Sequence, residues 1–265
     1  MLRLQILVLV LFTAIATNGL CETASKEGTV YQVSTITALK QGTYDGDVTF
    51  GELKKHGDFG LGTFNNLDGE MIAVDGQFYQ AKADGKVYKV QDAAKTPFAD
   101  VCFFRQERRI VLLKLENLKK IKKALDKIIP SIKGIHAFRI RGLFPYVKVR
   151  SVPAQQKPYP GLAEVIKKQI VFELHNVRGT LVGFRFPRSM AGINERGYHF
   201  HFITDNKQAG GHVLDCTVNN PNVETALFPN FLMTFSPISN KAQQSGPRIP
   251  EKILKSLKTL PQNAQ

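Results

Sequence analysis

The stretch Tyr198-His199-Phe200-His201-Phe202, followed by Gly210-Gly211-His212, constrains this chain more than any other. Successive side chains of a strand point to opposite faces. His199 and His201 therefore share one face, and Phe200 and Phe202 the other. Gly210-Gly211 lets the chain return as a second strand. A register that sets Ile203 opposite Gly210 sets His201 opposite His212, and three imidazoles then converge. Neutral imidazole suits zinc, and three protein ligands with open coordination positions is the catalytic arrangement rather than the structural one. The same pattern also fits an aromatic-rich hairpin with internally satisfied histidines. The histidines alone do not decide between the two.

The rest of the chain is patterned mainly for strands. From Gly57 to Val90, turn pairs recur at Asn65-Asn66, Asp68-Gly69, Asp75-Gly76 and Asp84-Gly85, with short Val-, Ile-, Phe- and Tyr-rich runs between them, as in a β-meander. Val101 to Phe104, Ile110 to Leu115, Ala137 to Val149, Ile170 to Leu174, Thr180 to Phe186, Tyr198 to Thr204 and His212 to Val218 read as further strands. Asn117 caps an expected helix from Leu118 to Ile132, with Leu118, Ile121, Leu125, Ile128 and Ile132 on one stripe. Leu162 to Gln169 and Pro250 to Leu257 read as shorter helices. Three prolines between Pro153 and Pro160 predict an extended connector. The fold class is α+β and strand-dominated. Two β-rich sub-domains, at about 28–150 and 161–265, are expected on either side of a connector at 151–160.

The N-terminus differs in character from the body. Met1-Leu2-Arg3, the apolar run Leu4 to Phe12, and Ala14-Ile15-Ala16 have the order of a secretory signal peptide, placed at 1–20. That run is short for a membrane span. A secreted or periplasmic protein with no stable membrane insertion after cleavage is expected, its mature domain at 21–265. Leu20, directly before Cys21, is too large for lipoprotein processing. Cys102 and Cys216 belong to no CxxC pair and read as buried free thiols. The net charge of +14 reflects 36 basic against 22 acidic residues. Part of the excess sits in Lys114, Lys119, Lys120, Lys122, Lys123 and Lys127, which read as one solvated helix face. No aromatic-and-basic RNA motif accompanies them, so no nucleic-acid partner is expected.

Several separated motifs carry a closer identification. Tyr31-Gln32-Val33-Ser34-Thr35, Gly42-Thr43-Tyr44-Asp45-Gly46-Asp47 and Gly57-Asp58-Phe59-Gly60-Leu61-Gly62-Thr63 open the series. Leu67-Asp68-Gly69-Glu70, Arg150-Ser151-Val152-Pro153, Lys157-Pro158-Tyr159 and Asn176-Val177-Arg178-Gly179-Thr180 follow, ahead of the histidine hairpin. In this order, from about residue 30 to about 217, the chain closely resembles the acetolactate decarboxylases.

That resemblance implies a zinc-dependent carboxy-lyase that converts 2-acetolactate to acetoin and carbon dioxide, through a metal-chelated substrate and an enediolate reprotonated on one face. It implies zinc held by His199, His201 and His212. It makes Glu70 the candidate proton donor. It makes Arg150 the candidate partner of the carboxylate or of a developing oxyanion, and Thr63 a pocket hydroxyl. A homodimer is implied as well. His56, His136 and His175 have no partner at metal spacing, and Ser34, Ser151 and Ser189 sit in no nucleophile elbow.

Two features depart from the family. Its members carry a second glutamate near the C-terminus, where this chain has leucine or lysine. Glu251 and Glu224 are the available substitutes. The segment around Asp215-Cys216-Thr217 is also short. These departures support an alternative: an exported, non-catalytic zinc- or ligand-binding protein on the same scaffold. A cupin-like zinc oxygenase would fit the histidines but not the other motifs.

Overall fold

The structure, a computed structural model, describes residues 27–235. The expected signal peptide, Cys21, Glu251 and the helix at Pro250 to Leu257 lie outside these residues. In chain order the first part holds β1 (Thr29–Val33), α1 (Ile36–Lys40), β2 (Val48–Thr49), α2 (Phe50–Leu53), β3 (Phe59–Thr63), β4 (Glu70–Val74), β5 (Gln77–Ala81), β6 (Val87–Lys89), β7 (Lys95–Thr96) and β8 (Ala99–Cys102). The second part holds β9 (Arg108–Val111), α3 (Leu118–Ile128), β10 (Ile135–Ser151), α4 (Leu162–Ile166), β11 (Ile170–Phe186), β12 (Gly197–Thr204), β13 (Gly210–Phe228) and β14 (Asn230–Thr234). Strands dominate, as the patterning predicts.

Two sheets carry the molecule. The first has seven strands in the order β14-β1-β8-β3-β4-β5-β6. The meander β3 to β6 is its run of sequential neighbours. Its tightest turn is Asp75-Gly76, where both residues take positive φ (52° and 74°), the backbone that matches a two-residue hairpin to strand twist. The second sheet runs β10-β11-β12-β13-β9, and an additional β10–β13 pairing closes four of its strands into a ring.

Several elements depart from their expected bounds: β9 ends at Val111 rather than Leu115, α4 ends at Ile166 rather than Gln169, and three further departures have a clear physical cause. β11 is one strand of 17 residues, not two, because β10 pairs with it along its whole length. The irregularity that suggested a break lies where the register sets Pro145 opposite Asn176, whose φ is 53°. β13 continues ten residues past Val218, and a register shift against β10 absorbs Asn220 and Pro221. Helix α3 stops at Ile128 rather than Ile132. Pro130 forbids helical backbone at Ile129, which is extended instead. Its N-cap is Asn117, as expected, with Oδ1 accepting from Lys120 N.

The chain passes from the first sheet to the second between β8 and β9. This precedes the irregular 152–161 connector, and β14 later returns to lie parallel beside β1. The main core cluster joins the sheets: Leu61, Ile72 and Val74 pack with Val182, Phe184 and Ile203. A second cluster sets the α3 stripe of Leu118, Ile121 and Leu125 against Phe138, Phe200 and Phe202. Strand β12 is therefore held on two sides. Its phenylalanine side is covered by α3, and its histidine side looks toward the first sheet. Gly179 and Gly183 of β11 make that seat possible. A Cβ on either would fall 2.4 Å from Phe202 or 2.1 Å from Phe200. Cys102 and Cys216 are free and buried.

Candidate metal centre and cavity

The hairpin register is the one the sequence predicts: His201 pairs with His212, and Ile203 with Gly210. His199 stands two residues away on the same face of β12. The three rings offer ligand atoms that all lie within 4.8 Å of one another. His199 Nε2 and His212 Nδ1 are 3.0 Å apart. His201 Nδ1 donates to the Met71 carbonyl of β4 at 2.7 Å, which fixes its tautomer and leaves Nε2 as a lone-pair donor.

All three imidazoles are held neutral. Burial pulls His199 and His212 well below the ordinary histidine value. Repulsion adds to it: any charge on His201, then Arg150 and Lys122, disfavours a proton on His199, and Arg150 comes first in disfavouring one on His212. Burial also lowers His201, to about 3, against the opposing bond to Met71. His201 Nε2 is buried without a hydrogen-bond partner. A buried polar atom in that state costs on the order of 1–3 kcal/mol. Three converging neutral nitrogens, one of them orphaned, fit a metal ion. They fit a hydrogen-bonded structural cluster poorly.

Glu70 begins β4, directly opposite Thr63 of β3. Its Oε2 lies 3.4 Å from His201 Nε2, and its Oε1 accepts from Arg150 Nη1 at 3.1 Å. Arg150 comes from the end of β10, where the register sets it opposite His212. Burial raises the Glu70 pKa, and Arg150 offsets only part of the effect. Thr63 Oγ1 donates to the Gly69 carbonyl at 2.7 Å, so its hydroxyl also ties the β3–β4 turn.

Six of the residues nominated from the sequence meet at one place. Thr63, Glu70, Arg150, His199, His201 and His212 all line one cavity of about 300 Å³. Its outer walls are helical: Ile36 and Leu39 of α1, Leu162 and Ile166 of α4, and Leu118 of α3. The apolar walls and the few convergent polar groups are those of a small-molecule site.

Two expectations fail here. Glu224 does not reach the cavity. It lies toward the far end of β13 and is bound by Arg139 Nε at 2.5 Å and Arg141 Nη1 at 3.3 Å. Lys122 does not belong to the solvated lysine face. It is half-buried and lines the cavity. At about 100° per residue it projects only about 40° from Leu118, while Lys119, Lys120, Lys123 and Lys127 project about 100–200° away. That angle was available in the sequence.

Glu195 and Lys40 also line the cavity and had no sequence signal. Glu195 arrives there because its loop docks on the start of α1, through Ile36 N to Ile193 O at 2.9 Å and Thr37 N to Gly192 O at 3.3 Å. The other histidines play structural parts: His56 stacks on Tyr31, His136 bonds the Ser131 carbonyl, and His175 packs on Tyr146.

Known proteins are similar to this chain. The family model described as alpha-acetolactate decarboxylase matches residues 30–244. An alpha-acetolactate decarboxylase of Methylococcus capsulatus is 50% identical over 204 residues, 77% of this chain and 78% of the relative. One from Bacillus subtilis is 43% identical over 194 residues, 71% of this chain and 76% of the relative. The crystal structure of alpha-acetolactate decarboxylase from Bacillus subtilis strain 168 superposes with a TM-score of 0.79 at 38% identity, covering 85% of this chain and 97% of that one.

Proposed function

The chain belongs to the alpha-acetolactate decarboxylase family, carboxy-lyases acting on acetolactate, and on that premise we propose a zinc-dependent decarboxylation of 2-acetolactate to acetoin and carbon dioxide. The observation that carries it is the meeting of three neutral imidazoles with a buried carboxyl and a guanidinium in one cavity. The non-catalytic reading is not favoured by this membership. His199, His201 and His212 would hold the zinc, with His201 steered by Met71. When bound, the metal supplies a Lewis acid for the electron pair freed as carbon dioxide leaves.

The protein's own groups do the rest. The bond to the carboxyl carbon breaks, and its electrons pass to the neighbouring ketone oxygen as an enediolate. Arg150 supports that developing negative charge, which is where preorganised positive charge contributes most. Glu70 then delivers a proton to carbon. A carboxyl held above its ordinary pKa keeps its proton closer to neutral pH, as a general acid requires. Glu70 regains the proton from solvent, so one proton is consumed per carbon dioxide released. Anchorage of Glu70 between Arg150 and His201 confines it to one side of the substrate, which gives a single enantiomer. Thr63 closes the wall beneath it.

Chelation tests the reading. Acetoin formation from racemic acetolactate by the purified chain should vanish with a chelator and return with zinc. A folded, zinc-loaded protein with no turnover would overturn the proposed reaction. Restoration by iron alone would overturn the choice of metal. We place the mature protein outside the cytoplasm on the strength of residues 1–20, and as a homodimer on the strength of its family. N-terminal sequencing that finds Met1 retained would refute the first, and a monomeric mass by light scattering the second. Among the described residues no helix is long and apolar enough to cross a membrane.

A further inference from the structure

Five acidic or basic side chains line the cavity besides the histidines: Lys40, Glu70, Lys122, Arg150 and Glu195. Four of them are paired. Lys40 Nζ lies 2.7 Å from Glu195 Oε2, and Arg150 Nη1 lies 3.1 Å from Glu70 Oε1. Lys122 makes no ion pair or hydrogen bond among the described residues. Asp215 acts on it from beyond ion-pair distance, and Asp215 Oδ1 already accepts from Leu118 N at 2.7 Å and Cys216 N at 2.9 Å. Among the described residues, Lys122, on the helical wall, is thus the cavity cation without an ion-pair partner.

Lys122 is also partly desolvated. Burial pulls its pKa below the ordinary lysine value, and Cys216 and Asp215 act the other way. A cation in that setting gains more from an incoming anion than one in open water. The substrate under the proposed decarboxylation carries one negative charge, on the carboxylate that departs.

We propose that Lys122 binds this carboxylate and makes the cavity selective for anionic 2-hydroxy-3-oxo acids over neutral hydroxyketones. The assignment rests on the decarboxylase reading. It divides labour between the two cavity cations. Arg150, already shared with Glu70, faces charge that develops; Lys122 faces charge that leaves. An interaction with the leaving carboxylate holds bound substrate and transition state alike while that group still carries charge, and ends only when neutral carbon dioxide has formed. Such an interaction lowers KM without raising kcat.

The test is a split between the two constants. Lys122→Gln should raise KM for acetolactate about tenfold, the change expected from losing about 1.4 kcal/mol of charge pairing, with kcat within about twofold of the parent. Lys122→Arg should recover most of the loss. Inhibition by 2-hydroxyisobutyrate should weaken in parallel in Lys122→Gln, while binding of neutral acetoin stays unchanged. An unchanged KM, or a fall in kcat at constant KM, overturns the proposal and leaves the decarboxylase reading intact. If the parent protein shows no turnover, that reading fails separately. Calorimetric titration of the zinc-loaded protein with 2-hydroxyisobutyrate then decides alone: about tenfold weaker binding to Lys122→Gln supports the carboxylate site, and equal or absent binding in both overturns it.

Discussion

Two buried glutamates meet arginines from the same long strand, and they end in opposite situations. Glu70 (7% exposed) pairs with Arg150 at one end of β10, and Glu224 (4% exposed) with Arg139 and Arg141 toward the other. Glu224 is saturated: two guanidinium groups bind it, a third from Arg109 stands 3.9 Å away, and Asp75 balances Arg139 and Arg141 at 2.9 and 2.7 Å. Glu70 has one arginine, a neutral imidazole and an open cavity. Desolvation therefore wins at Glu70, and its carboxyl is held above its usual pKa. The pairing that compensates a charge fully also makes it chemically idle. The group left undercompensated is the one able to move a proton.

The largest break of this comparison comes at Glu70. Glu70→Gln keeps shape and hydrogen bonding but removes the transferable proton. Loss of kcat by about 10²–10⁴-fold is expected, the range for a positioned general acid. The thermal midpoint should move little, because burial already favours the uncharged carboxyl that the amide mimics. Single-turnover release of carbon dioxide against release of acetoin would locate the defect. A variant that forms acetoin at the parental rate and with the parental enantiomer would remove Glu70 from the proton transfer.

Much of this is legible in the sequence. Alternation in Tyr198 to Thr204 fixes which side chains share a face, so the histidine pairing followed once the turn was placed. The meander followed from turn residues whose backbone demands are local, as at Asp75-Gly76. What stayed hidden depends on tertiary packing. No local rule joins β10 and β11 into 17-residue strands, because each interruption, Pro145 or Asn176, is bridged by its partner strand. Glu224 looked like a spare carboxylate because its arginines lie about 85 residues earlier in sequence. Glu195 was invisible because backbone bonds to α1, not its own sequence, carry its loop to the cavity. Lys122 lay between: its angle on α3 was readable, but the neighbouring lysines masked it.

A third buried carboxyl extends the series to its limit. Asp100 of β8 is 0% exposed and has no basic partner at ion-pair distance among the described residues. Both of its oxygens accept from Asn194 Nδ2, at 2.8 and 2.9 Å. Burial raises its pKa to about 7, and the Asn194 bonds offset only part of that. The raised value means the folded protein holds this proton more tightly than the unfolded chain does. Stability from the neutral form is complete below about pH 4 and is lost as pH rises through about 7. Asp100→Asn removes that dependence. Its stability relative to the parent should improve from pH 4 to pH 7 and then level off, by up to about 4 kcal/mol for a shift of about three pH units. Denaturant unfolding of both proteins across this range measures the difference. A flat difference would show that Asp100 is compensated by groups other than Asn194.

Glu224→Gln should give the smallest effect and the one most specific to the comparison. The side chain is far from the cavity, so kcat and KM should stay within about twofold of the parent. Stability should fall, because the substitution leaves Arg139 and Arg141 facing a neutral amide. Losing one partner of a fully buried pair costs about 3–5 kcal/mol. Here about 2 kcal/mol is expected, since Arg141 and Asp75 are partly solvated and screened and Asp75 still serves both arginines. Salt should separate the contributions: the part carried by Asp75 weakens as ionic strength rises, and the part carried by Glu224 does not. If Glu224→Gln instead lowers turnover while leaving stability intact, the two glutamates are not opposites. The ring of strands that links them through β10 would then have to couple the arginine cluster to the metal centre.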